Sequence, residues 1–417
     1  MKSFALVAAA LVAPALAAPA AIPITKLAGP VNENSYIIKL KDGVSKDSHV
    51  ARLLEYIGNQ DSKYDRVFNG YAGVLKGPIL EYIRRSADVE YIQADTIYQI
   101  EYEQGDESFA AREVQDEYSH LAGRAANGGG VDIYGIDTGI LTTHTAFGGR
   151  ATWGATYGGF ANRDGNGHGT HTAGTAAGSS GFGLATASNI IAVKVCSDAG
   201  QCASSNIIAG VNFVASRSAS SGRPSVAIMS LGGPGDSAID SAVSNAIGRG
   251  IHFSVAAGNS NVNAGSTSPA RVAAANTIGA VDSSNRKASF SNYGEWKIAV
   301  LDVWALGVNV RSAWIGSNSA VNTISGTSMA APQVAGILAV VIGNKGNSSP
   351  AALSSALKSN AQAVVTGAPS GTTPVFGKLN DIETGLHDDE MAEVKTNCIF
   401  RTTQIQSTKK FTFLYRA

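Results

Sequence analysis

Residues Gly326-Thr327-Ser328-Met329-Ala330-Ala331-Pro332 set a lone serine between tight-turn residues, and the run that follows, Val334-Ala335-Gly336-Ile337-Leu338-Ala339-Val340-Val341, is small and aliphatic throughout. A run with no polar face predicts a buried helix. Ser328 would sit at its N-terminus, where the helix dipole favours developing negative charge. An ordinary cap ahead of a core helix has the same look, so the segment gains meaning only beside two others upstream.

The first is Val131-Asp132-Ile133-Tyr134-Gly135-Ile136-Asp137-Thr138-Gly139, an apolar strand-like run that ends in a carboxylate and a turn residue. In an open α/β sheet, ligands gather at such strand ends. The second is Asp164-Gly165-Asn166-Gly167-His168-Gly169-Thr170-His171-Thr172-Ala173-Gly174-Thr175, where His168 follows a glycine-rich loop and opens a run of small, helix-compatible residues. Gly167 and Gly169 are expected to leave its ring accessible. His168 and His171 invite a zinc reading, but they are three apart. The zinc-protease pattern needs a spacing of four and an intervening glutamate.

Asp137, His168 and Ser328 follow one another in the order Asp, His, Ser, and in residue type and flanking glycines the three segments resemble those of subtilisin-like serine proteases. The match is to the fungal secreted group of the proteinase K type and runs from about residue 31 to residue 380. The resemblance implies an endopeptidase in which His168 takes the Ser328 proton while Asp137 fixes the histidine tautomer. His171 would be structural. Val255-Ala256-Ala257-Gly258-Asn259 is similar to the family segment whose asparagine, with the Ser328 backbone N–H, holds the oxyanion, which assigns Asn259.

Ile228-Met229-Ser230-Leu231-Gly232-Gly233 resembles the family strand that pairs with substrate backbone upstream of the cleaved bond, which makes Ser230, Leu231 and Gly232 substrate-binding residues. Gly200 falls on the opposing edge. Gly258 lies beside the primary specificity pocket, whose small-residue walls imply a broad preference for apolar or aromatic side chains. Ser204 stands where relatives often carry a tyrosine rim. The family needs no cofactor for its chemistry but commonly holds structural calcium. By resemblance Asp302 would be a ligand, with the carbonyls of Ala273 and Ala275 completing the set.

From Ser35 onward, strand 36–40, helix 47–57, strand 67–75, helix 78–87 and strand 89–100 predict a small α+β domain. It resembles the inhibitory propeptide of the family, and a separate binding module is the alternative. Met1-Lys2-Ser3, an apolar stretch and Ala15-Leu16-Ala17 read as a signal peptide, and no later segment reaches 18 continuous apolar residues. The expected organisation is thus a signal peptide over 1–17, a propeptide over 18–108, a catalytic domain over 109–380 and a polar tail over 381–417. The propeptide would be cut somewhere between Tyr102 and Arg112.

The expected fold is an α/β one, a mostly parallel sheet flanked by helices, for which 47 glycines and 15% charged residues suit a packed core with short turns. Lys plus Arg and Asp plus Glu number 32 each, so nothing in the charge balance argues for nucleic acid or an anionic membrane as partner. The partners expected are protein or peptide substrates and the chain's own propeptide, acting on a secreted monomer. Cys196 and Cys202 could close a local disulfide in an oxidising compartment if geometry allows, leaving Cys398 over.

Some junctions depart from the family: 295–301 is longer than usual, Leu306 replaces a proline before Gly307, and 108–130 lacks the Trp-Gly-Leu element that usually begins the mature enzyme. These departures keep a second reading open, a homologue that binds peptides without maturing or cutting them. An esterase on another fold would need a Gly-x-Ser-x-Gly elbow, which Thr327-Ser328-Met329 does not supply.

Overall fold

The structure, a computed structural model, describes residues 20–53, 62–106, 128–294 and 300–377. In the N-terminal part, the strand Val31–Leu40 lies between Gly70–Val74 and Val89–Gln99 and runs antiparallel to both. Helices Lys46–Ala51 and Gly77–Arg84 start where the sequence signals a start: Ser45 accepts a hydrogen bond from the Ser48 N–H, and Pro78 occupies the first turn. Ile38, Leu40, Val50, Tyr71, Ile83 and Ile92 close a small core. The α+β domain read from the sequence is therefore present. The helix expected over 47–57 ends at Ala51, with Arg52 as its C-cap and a turn at 52–53, and residues 54–57 of the expected span lie outside the described residues.

The second part is built on a nine-stranded sheet. Asn189–Lys194, Asp132–Asp137, Ser225–Met229, His252–Ala256 and Asn276–Val281 are buried along nearly their whole length, as strands covered on both faces must be, and they pair in parallel. Helices His168–Ala177 and Thr327–Lys345 cover one face, while Ser204–Ser221 and Ser237–Ile247 cover the other. The Thr327–Lys345 helix is long and apolar enough to cross a membrane, but 89% of its apolar window is buried inside the protein, which makes it a core helix.

Sheet order fixes where a site can form. From Asp132–Asp137 the chain moves outward to Ala151–Thr156, returns through Asn189–Lys194, then crosses to Ser225–Met229 on the other side. The order therefore reverses beside Asp132–Asp137, and the carboxyl ends of that strand and its neighbours frame an open crevice. Asp137, Ser230 and Asn259 all lie at those ends.

The N-terminal domain docks on the two helices of the opposite face. Asn212 Oδ1 accepts from the backbone N–H groups of Asp65, Arg66 and Val67, while Asn245 Nδ2 donates to the Val67 carbonyl and Arg249 Nε to that of Arg66. The Asp95 carboxylate sits at the start of Ser204–Ser221, accepting from the Ser205 N–H at 2.8 Å and from the Ser204 and Ser205 hydroxyls. A carboxylate at a helix N-terminus satisfies free backbone N–H groups and complements the dipole. Ser204 thus serves this contact.

The signal-peptide reading, residues 107–112 of the cleavage window, residues 295–299 of the long 295–301 segment, Cys398 and the tail fall outside the described residues.

Candidate active site

Asp137 ends its strand with both carboxylate oxygens on His168 Nδ1, at 2.8 and 2.9 Å, and both side chains are buried. His168 opens its helix after Gly167, whose backbone is left-handed (φ +102°). Asp164 organises the loop before it. Its Oδ1 accepts from the N–H groups of Asn166 and Gly167 and from the Thr138 hydroxyl, and its Oδ2 accepts from Thr170. One carboxylate thereby ties the loop that carries His168 to the turn after Asp137.

The glycines beside His168 act differently from the expectation. A Cβ on Gly169 would lie 2.1 Å from the Gly139 carbonyl, so this glycine lets the helix approach the strand end closely. The imidazole itself is not open to solvent but fully buried, with the Tyr102 ring stacked on it at 5.7 Å between centroids. His171 is structural as expected, bonding the Val310 carbonyl at 3.0 Å through Nε2. Burial of its ring lowers its pKa from 6.5 to about 3.

Ser328 lies in the first turn of Thr327–Lys345. Pro332 has no N–H to give to the carbonyl four residues back, which is that of Ser328, and the Ser230 hydroxyl fills this place at 2.8 Å. Ser328 Oγ donates in turn to the Ser230 carbonyl at 3.1 Å, while His168 Nε2 is buried with no hydrogen-bond partner. The two side chains are therefore not bonded to each other in this conformation.

Asn259 is fixed by its own oxygen, which accepts from the Thr327 N–H at 2.9 Å and the Thr327 hydroxyl at 2.8 Å. Its Nδ2 faces the cleft and donates to the Glu101 carbonyl at 3.0 Å. Gly258 (φ +104°) precedes it. A Cβ there would lie 2.4 Å from Asn292 Nδ2, whose amide braces the segment through the Ala257 carbonyl.

A cleft of about 390 Å³ runs along these groups, lined by Ser230, Leu231, Gly232, Gly258 and Asn259 with Tyr98–Glu101 of the N-terminal part. Gly200 takes the opposing edge, accepting the Ile100 N–H at 2.9 Å. The two edges differ: Gln201–Ala203 pairs with 97–99, whereas Ser230, Leu231 and Gly232 line the cleft outside any ladder.

Two groups escaped the sequence reading. Asp164 was legible as a carboxylate two residues ahead of Asn166-Gly167, an Asx-turn signal. Lys194 stands opposite Asp137 in the ladder, fully buried, and its ammonium bonds the Thr138 carbonyl and Asp198. A lone lysine ending an apolar strand signals a buried charge that must find partners.

Asp302 does not offer a calcium site. Its Oδ2 accepts from the Thr277 N–H at 2.9 Å and its Oδ1 pairs with the Lys358 ammonium at 3.0 Å, so a fixed cation already neutralises the one carboxylate of the expected set. Among the described residues no group of three or more His, Cys, Asp or Glu side chains could hold a metal ion. Cys196 and Cys202 are joined as a disulfide beside the Gly200 edge.

A subtilase family model matches residues 128–383, and a peptidase inhibitor I9 model matches residues 35–101. The chain belongs to the subtilase family and is a serine endopeptidase with an I9 inhibitor domain ahead of its catalytic part. Among its relatives, subtilisin-like protease 2 of Pseudogymnoascus destructans is 51% identical over 233 residues, 56% of either chain. Proteinase R of Parengyodontium album is 39% identical over 77% of this chain and 82% of its own. The crystal structure of a cold adapted subtilisin-like serine proteinase superposes with a TM-score of 0.56 at 41% identity, covering 63% of this chain and 92% of that one.

Proposed function

We propose that the chain is exported as a precursor and cuts peptide bonds with Ser328 as nucleophile, His168 as general base and Asp137 as the group that orients the base. The observation that carries this reading is the buried Asp137–His168 pair, together with a serine at the N-terminus of a core helix that lines the same cleft as Asn259. With Nδ1–H held by the carboxylate, Nε2 is a bare acceptor. For the base to act, Ser328 turns about χ1 away from the Ser230 carbonyl and donates its hydroxyl to that nitrogen.

As Oγ attacks, the carbonyl oxygen gains charge. Asn259 Nδ2 and the Ser328 N–H, one of the donors a helix leaves free in its first turn, receive it. The imidazolium gives the proton to the departing amine, and water then releases the acyl group by the same path in reverse. The chemistry needs these side-chain and backbone groups and water, with no cofactor.

Substrate lies extended between the Gly200 edge and Ser230, Leu231 and Gly232. The pocket wall of Ala256, Gly258, Ser260, Asn292 and Thr327 carries no charge, which supports a broad preference for apolar or aromatic side chains. The I9 domain is the intramolecular inhibitor, and the enzyme acts as a secreted monomer. A basic then apolar N-terminus and the Cys196–Cys202 disulfide support export to an oxidising compartment.

The test is covalent labelling of the matured protein with a fluorophosphonate, followed by peptide mass spectrometry. The adduct is expected on Ser328 and should be lost in a His168→Ala variant. Equal labelling of the unsubstituted protein and of His168→Ala, or labelling of another serine, would refute the assignment.

A further inference from the structure

We infer that maturation cuts the bond between Glu101 and Tyr102; this rests on the catalytic reading of Ser328. Upstream, Ile97, Tyr98 and Gln99 pair antiparallel with Ala203, Cys202 and Gln201, and the Ile100 N–H continues the contact onto the Gly200 carbonyl. Downstream, Glu103 and Gln104 pair antiparallel with Ser325 and Ile324, the Gly105 N–H donates to the Thr323 carbonyl at 3.0 Å, and the Asp106 N–H to Asn309 Oδ1 at 3.0 Å.

Two ladders therefore bracket the stretch from Ile100 to Tyr102. A slip of one residue would turn every side chain of both ladders to the wrong face, so the register is set from both sides. Within the bracket, the carbonyl offered to Asn259 Nδ2, at 3.0 Å, is that of Glu101. The next residue, Tyr102, stacks its ring on His168. That places the departing nitrogen on the side of the group that must protonate it.

In the step proposed, Ser328 Oγ bonds to the Glu101 carbonyl carbon and its proton passes to His168 Nε2. The Glu101–Tyr102 C–N bond breaks and that proton goes to the Tyr102 nitrogen. A water molecule then hydrolyses the ester, leaving a carboxylate at Glu101 and restoring the serine. Among the described residues the cleft has no cation to match the Glu101 side chain. A strand tethered in place needs none, since intramolecular delivery replaces binding energy with effective concentration. The bond lies just ahead of the window expected from sequence, which began at Tyr102.

The experiment is secretion of the full chain beside Ser328→Ala and Tyr102→Pro variants, reading new termini by N-terminal sequencing and intact mass at the earliest time a cut is seen. The expected result is a first terminus at Tyr102 with a partner fragment ending at Glu101, both lost in Ser328→Ala. Tyr102→Pro, with an imide nitrogen at the departing position, should slow that cut at least tenfold. A first Ser328-dependent terminus elsewhere, or an unchanged rate in Tyr102→Pro, overturns the assignment. An uncut chain whose Ser328 still takes a fluorophosphonate overturns the bond alone, and one that is both uncut and unlabelled overturns the catalytic reading with it.

Discussion

Both oxygens of the Asp137 carboxylate lie within 2.9 Å of His168 Nδ1, in a pair sealed from water. An amide in place of the carboxylate can accept from Nδ1 or donate to it, and the second choice leaves the proton on Nε2, where the base must be bare. Asp137→Asn should therefore lower kcat by about 10⁴-fold, the loss found for serine-protease triads generally, with little change in KM. Steady-state kinetics on the matured variant check this, and a loss under tenfold would count against the role of Asp137.

Asn259 is held rigid by Thr327 and spends its amide N–H groups on the cleft. Asn259→Ala removes a donor that matters most once the carbonyl oxygen is charged. The expected loss is about 10²- to 10³-fold in kcat with KM nearly unchanged, a magnitude borrowed from subtilisin itself rather than derived from this geometry. A rise in KM with kcat intact would place Asn259 in substrate binding instead.

Asp95 gives the inhibitor domain its charged contact with the Ser204–Ser221 helix. Hydrogen bonds to a charged group contribute about 1.5–3 kcal/mol, so Asp95→Ala should weaken inhibition by the cut propeptide by about 10- to 100-fold. The measurement is the lag between the first cut and full activity, which should shorten. An unchanged lag would remove Asp95 from the inhibitory interface.

His171 is neutral in the folded protein because burial holds its pKa near 3, against 6.5 for a free histidine. Above 6.5 the ring is neutral folded or unfolded, and nothing is lost. As pH falls from 6.5 towards 3 the unfolded chain takes up a proton that the fold refuses, so stability drops by roughly 1.4 kcal/mol per pH unit from this group. Urea titrations of a Ser328→Ala background, which removes self-digestion, should show this slope, and His171→Gln should reduce it by one proton's worth. An identical slope in the two proteins would contradict the account of His171.

The Asp302–Lys358 ion pair predicts that a chelator leaves Tm unchanged in the same Ser328→Ala background. Lys358→Met should lower Tm, because it strands a buried carboxylate. A fall in Tm on chelation of the unsubstituted protein would show that a bound cation, not Lys358, neutralises Asp302.

How much of this was legible in the sequence depended on whether a residue's role is local. Asp137, His168 and Ser328 each stand at a strand end or helix start that their neighbours announce, and the structure places them on the elements expected. The small α+β domain was legible because its alternation of strand and helix is short-range. Long-range partners were not: nothing near Asp302 in the chain announces Lys358, and nothing near His168 announces that Tyr102 will cover it. The accessible ring expected from Gly167 and Gly169 failed for the same reason, since close packing of Gly169 on Gly139 is a contact between distant segments. Ser230, Leu231 and Gly232 line the cleft, but pairing depends on the approaching strand, and that strand adds to Gln201–Ala203 instead.

The most direct measurement is hydrolysis of an apolar peptide substrate by the matured chain and by its Ser328→Ala counterpart, cut in trans by immobilised matured protein and purified free of propeptide. Loss of the nucleophile from such a triad costs on the order of 10⁶-fold in kcat, so the variant should fall to the background of the assay. Comparable hydrolysis by both proteins would show that Ser328 is not the nucleophile and that the site is not the one described.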